Sequence, residues 1–130
     1  MNNVKYSLPF AAHQLFGLLS RENIKTCAVV TTLKNTDKAE RLCRLLCEES
    51  DAKAINAHFV NKEEPLTDGI SLVFLGHLLD DVTTIDRCVA CDCAIFIEQY
   101  GVTAHKSFDE ILDVLRVKNV RVLGVLPLIK

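Results

Sequence analysis

The sequence predicts a single three-layer α/β/α domain, residues 1–130, around a mostly parallel five-stranded sheet. Three observations carry that expectation. Short apolar runs rich in β-branched residues recur along the chain, patterns of helical period lie between them, and polar or glycine-containing stretches separate the two. Apolar runs without alternation suit strands buried on both faces, and strands alternating with helices pair in parallel through right-handed crossovers.

The first run begins at Thr26 and reads TCAVVTT. A polar stretch, LKNTD, leads from it to a helical pattern from Lys38 to about Glu49, where Leu42, Cys43, Leu46 and Cys47 share one face. Asp37 and Glu40 stand at capping-box spacing, with Thr36 as an alternative cap. A second strand is expected over Ala54 to Val60 and a third over Gly69 to Leu75, the latter running through Gly76-His77 into a helix from about Asp80 to Cys88. Cys93 to Gln99 is the fourth strand, closed by Gly101. Ser107 and Glu110 form a second capping-box pair, opening a helix with Phe108, Ile111, Leu112 and Leu115 on one face. Val120 to Val125 is the fifth strand. A further helix, near Pro9 to Leu19, precedes the first strand and packs on the sheet or on another protomer. The pattern does not fix the strand order.

With 15 basic and 17 acidic side chains and a net charge of -2, the chain gives no reason to expect nucleic acid or an anionic membrane as partner. Pro9, His13 and Gln14 interrupt the apolar N-terminal stretch, so no signal peptide is read there. The other apolar runs are of strand length, far below the roughly 20 residues needed to span a bilayer, so no direct membrane insertion is expected. Reduced thiols in a cytoplasmic protein are the expectation for Cys27, Cys43, Cys47, Cys88, Cys91 and Cys93, several of which fall inside core segments.

In open parallel sheets, ligands bind beyond the carboxyl ends of the strands. The loop after the first strand, with the helix start, reads TTLKNTDKAER. A phosphate-binding loop needs glycines so that backbone amides can turn inward, followed by a lysine and a hydroxyl. Gly17, Gly69, Gly76, Gly101 and Gly124 all lie elsewhere. Lys38 is the one candidate phosphate lysine, with Ala39 after it where a hydroxyl is wanted.

The segment CDCAIFIEQYGVTAHKSFDEILDVLRVKNVRVLGVLPL, together with NIKTCAVVTT, resembles the cytoplasmic domain of the bacterial tyrosine kinases of capsular and exopolysaccharide synthesis, P-loop proteins related to the MinD/ParA ATPases. The resemblance implies a P-loop NTPase-like, Rossmann-like domain, with the third strand beside the first. It also implies a Walker A loop over Thr31 to Glu40, which here lacks its glycines. The family's second Walker motif falls on AINAHFV, where Asn56 and His58 are the nearest polar residues. The Walker B aspartate should end the third strand, where Leu75, Gly76 and His77 stand instead, and Asp80 and Asp81 read as acids of a helix N-terminus. Residues 1–20 lack the Glu and Arg of the family's ring-assembly helix, and Tyr6 and Tyr100 are no C-terminal tyrosine cluster.

The expectation is therefore a non-catalytic relative, a regulatory or interaction module of polysaccharide biosynthesis with no catalytic residue, cofactor or metal. Its partner would be a membrane-bound chain-length regulator or a kinase paralogue, and it would form a homo-oligomer in one version of this reading. A second reading is residual nucleotide binding or weak ATPase activity, with Thr32, Thr36 and Lys38 on the phosphates. A third is an unrelated flavodoxin-like enzyme or receiver-like module, in which His77 and His105 near Glu98 and Tyr100 would act as an acid-base pair. A zinc or iron-sulfur site on Cys88, Cys91 and Cys93, with Cys43 and Cys47, is weighed against buried thiols. Thioredoxin-like chemistry is disfavoured because Cys88 and Cys91 follow a helix and do not open one.

Overall fold

A computed structural model describes residues 8–66, 68–99, 101 and 105–128. The elements are α1 (Leu8–Arg21), β1 (Thr26–Thr31), α2 (Asp37–Leu46), α3 (Ser50–Ala54), β2 (Ala57–Asn61), β3 (Ile70–His77), α4 (Val82–Val89), β4 (Cys93–Glu98), α5 (His105–Val117) and β5 (Val122–Pro127), with a 3-10 turn at Leu78–Asp80. All strand pairs are parallel and the order is β2-β3-β1-β4-β5. The third strand thus lies beside the first, and the order differs from the 2-1-3-4-5 of a flavodoxin-like sheet.

Alternation along the strands divides the core into two layers. Cys27 and Val29 of β1, Leu72 and Phe74 of β3, and Cys93, Ile95 and Ile97 of β4 face α1, α2 and α3. Ala28, Val30, Val73, Leu75, Ala94 and Phe96 point the other way, toward Leu78, Cys88 of α4, and Ile111 and Leu115 of α5. Every residue of β4 is buried, as are five of the six in β1, which explains why these runs show no polar alternation.

The sequence placed β2 three residues early. Ser50–Ala54 forms the short helix α3, which buries Ala52, and Asn56 at φ 57° turns the chain into the strand. Neither expected capping box forms. Thr36 is the N-cap of α2 without a side-chain bond, and the Asp37 N–H donates instead to Asn35 Oδ1 at 2.9 Å. Helix α5 starts at His105, so Ser107 lies inside its first turn. Asp80 and Asp81 do sit at a helix start: Asp81 Oδ1 accepts from Thr83 N–H at 2.9 Å, and that bond lowers its carboxyl pKa.

At the amino edge of the sheet, Asp92 joins β1 to β4. Its Oδ2 accepts from the N–H groups of Lys25 and Thr26 at 2.8 and 3.2 Å, and its own N–H donates to Thr26 Oγ1 at 2.8 Å. Arg87 donates to the carbonyls of Lys62 and Glu64 and so holds the β2–β3 connection against α4. Among the described residues, no helix is long and apolar enough to cross a membrane.

Gly69 and Gly17 make opposite demands. Gly69 has φ +85°, and a Cβ there would lie 2.2 Å from the Asn56 carbonyl oxygen, whereas a Cβ on Gly17, within α1, meets nothing. Gly69→Ala is expected to lose more than about 1 kcal/mol, and Gly17→Ala to gain up to about 1 kcal/mol, from urea unfolding midpoints at unchanged slope.

Candidate functional site

The connections from β1 and from β4 leave on opposite faces, α2 joining one core layer and α5 the other. The crevice beyond the carboxyl ends of these two strands is therefore the topological switch point of the sheet. A cavity of about 380 Å³ occupies it, lined by Thr32, Leu33, Lys34, Asn35 and Lys38 from the β1–α2 segment, by His77 and Gln99 from the ends of β3 and β4, and by Ser107 of α5.

The loop at its wall is built without a phosphate cradle. The described non-glycine residues of positive φ are Asn23, Asn56 and Asn119, so nothing between Thr31 and Glu40 takes the left-handed conformation that turns successive amides inward. The first amide of the loop is taken internally. Glu98, the last residue of β4 and only 6% exposed, accepts from Thr32 N–H through Oε2 at 2.8 Å and from the Thr32 hydroxyl through Oε1 at 2.6 Å. A buried carboxylate needs such donors, because its desolvation is otherwise uncompensated. Thr31 Oγ1 accepts from Leu33 N–H at 3.1 Å and fixes the next turn of the chain.

Of the residues singled out for phosphate contact, Thr32 and Lys38 do share the cavity. Thr36 lies apart, lining an adjoining hollow of about 180 Å³ with Asn61, Gly76, His77 and Asp80. His77 stands between the two. Its Nδ1 is buried without a hydrogen-bond partner, 3.6 Å from Asp80 Oδ1, too long for a bond. Asn56 and His58 bond to each other, 2.6 Å between Oδ1 and Nε2, near the start of β2 and far along the strand from its carboxyl end. The His77–His105 pairing rests partly on Tyr100 and on the His105 side chain, which lie outside the described residues.

Glu98 was visible in the sequence only as a neighbour of those histidines. The signal that marks it is an acid ending the run CAIFIE, since an ionisable group closing a doubly buried strand must be met by donors from the adjacent one. Lys34, Asn35, Gln99 and Ser107 carried no comparable signal.

All six cysteines are free. Among the described residues no group of three or more Cys, His, Asp or Glu side chains is placed to hold a metal ion. The Cys88-x-x-Cys91-x-Cys93 spacing is divided by the sheet, with Cys88 and Cys91 in the α4 layer and Cys93 in the α1 layer beside Cys27 and Cys43. The Cys93 hydrogen bond and burial push the Cys27 thiol up, and burial does the same to Cys43. Burial raises Cys47 and Cys88 to about 12 and Cys91 to about 11, so these thiols are poor nucleophiles.

The architecture and crevice define a Rossmann-like, three-layer domain with a ligand-sized opening at its switch point. The chain matches no family model, no curated protein and no solved structure.

Thr32→Val is expected to cost about 1.5–3 kcal/mol, as befits a hydrogen bond to a charged group. In a double-mutant cycle with Glu98→Gln the two changes should couple by about 1 kcal/mol or more, whereas additive losses would separate the two residues. For the thiols, the folded state keeps protons that the unfolded chain releases, so their stabilisation is full below about pH 9 and is lost as pH rises toward the folded values. Urea midpoints should fall from about pH 9 upward, with a shallower fall in the Cys47→Ala/Cys91→Ala variant.

Proposed function

We propose that this chain is a non-catalytic binding module on a P-loop-like sheet, which acts through a protein partner and not through phosphoryl transfer. The observation that carries the reading is the Glu98 carboxylate. In a phosphate-binding loop the amides await an external anion, whereas here a buried internal carboxyl group already holds the N–H and hydroxyl of Thr32. Phosphoryl transfer further needs an acid to hold the metal at the end of the strand beside the loop. That strand, β3, ends in Gly76-His77.

The order β2-β3-β1-β4-β5 supports P-loop kinship, for it sets the third strand against the first. The resemblance to the polysaccharide-associated tyrosine kinases supplies the context: a cytoplasmic module that docks on a membrane-bound chain-length regulator or on an active kinase paralogue. One observation favours the second reading, retained nucleotide binding, because Thr32 and Lys38 line one cavity.

Phosphate release from Mg-ATP decides between them. No release above the buffer rate is expected from the purified chain, and turnover abolished by Lys38→Ala would overturn the proposal. Glycosyltransferase and polysaccharide-export genes are expected beside the gene for this chain, and a neighbourhood without them would remove the context.

A further inference from the structure

We infer that the switch-point cavity binds a small, multiply charged oxyanion, a phosphate monoester or a dicarboxylate, without a metal ion. The inference goes beyond the absence of phosphoryl transfer and does not depend on the polysaccharide context.

Charge points to the ligand's sign. Two lysines, Lys34 and Lys38, stand at the cavity, and no Asp or Glu among the described residues lines it. The nearest buried carboxylate, Glu98, lies behind Thr32 with both of its oxygens engaged by that residue. The Thr32 hydroxyl hydrogen is already given to Glu98, so the remaining polar lining is the amides of Asn35 and Gln99, the Ser107 hydroxyl and the His77 ring. Such side chains orient an oxyanion once the lysines have attracted it. His77, which shares this wall, turns its unmatched Nδ1 toward Asp80 of the adjoining hollow, 3.6 Å away.

Size narrows the class. At about 380 Å³ the cavity falls at the small end of ligand pockets, which run from about 300 to about 1,000 Å³. It therefore suits a compact metabolite more than a nucleoside triphosphate. The route of binding also differs from that of a phosphate loop. The lysine side chains reach from the exposed segment Lys34 to Lys38 and supply the attraction, while the backbone amide of Thr32 stays committed to Glu98. Metal bridging has no support here, because Glu40 and Asp80, the described acids that share a wall with His77, line the adjoining hollow with Thr36 and not this cavity.

Isothermal titration calorimetry in EDTA tests the inference, with inorganic phosphate, glycerol phosphate and succinate as separate probes. Saturable binding of a phosphate probe or of succinate below about 10 mM is expected, and which one saturates identifies the oxyanion. The Lys34→Ala/Lys38→Ala variant changes only exposed side chains, and its affinity should fall about tenfold or more at an unchanged melting temperature. No saturation with any probe would overturn the inference, as would undiminished binding by the double variant or binding that requires added magnesium. ATP hydrolysis would overturn the proposed function instead, so the two failures are told apart.

Discussion

The placement of β1 constrains everything else in the molecule. It has a strand on either side and a helical layer on either face, so five of its six residues are closed to water. A strand in that position must be apolar throughout and must leave the sheet at its carboxyl end before any polar chemistry can begin. Because its neighbours run parallel to it, their polar ends collect at the same edge. Thr32, His77 and Glu98 meet for that reason, although 45 residues or more of sequence separate Thr32 from the other two.

Opposite departures of the connections open a crevice at that edge, and its chemistry depends on what fills the first amide of the loop. An incoming phosphate and an internal carboxylate compete for the same donors. With Glu98 in place the loop has no need of left-handed residues, and the absence of glycine between Thr31 and Glu40 becomes intelligible as a matched pair of features.

The architecture was largely legible because it rests on patterns that local sequence carries: unbroken apolar strands, helical faces such as Phe108, Ile111, Leu112 and Leu115, and polar breaks between them. Errors fell where tertiary contacts override local preference. Ser50–Ala54 is a helix because Ala52 reaches the core, and Asn35 displaced the expected cap of α2. The candidate site was only half legible. Lys38 and Thr32 stand out by analogy with phosphate loops, but the acid that redirects Thr32 lies 66 residues away on another strand, and no spacing rule links them.

The seam between β1 and β4 is pinned by a carboxylate at each end, and the two pins differ in their access to water. Asp92 is exposed, so solvent can replace its partners at little cost, while Glu98 is buried and has no such substitute. Local opening of the seam therefore starts at the Asp92 edge and reaches the crevice last. A ligand arriving there meets a wall that is already formed along β1 and β4, and whatever adjustment binding requires falls to the exposed turn around Lys34 and Asn35.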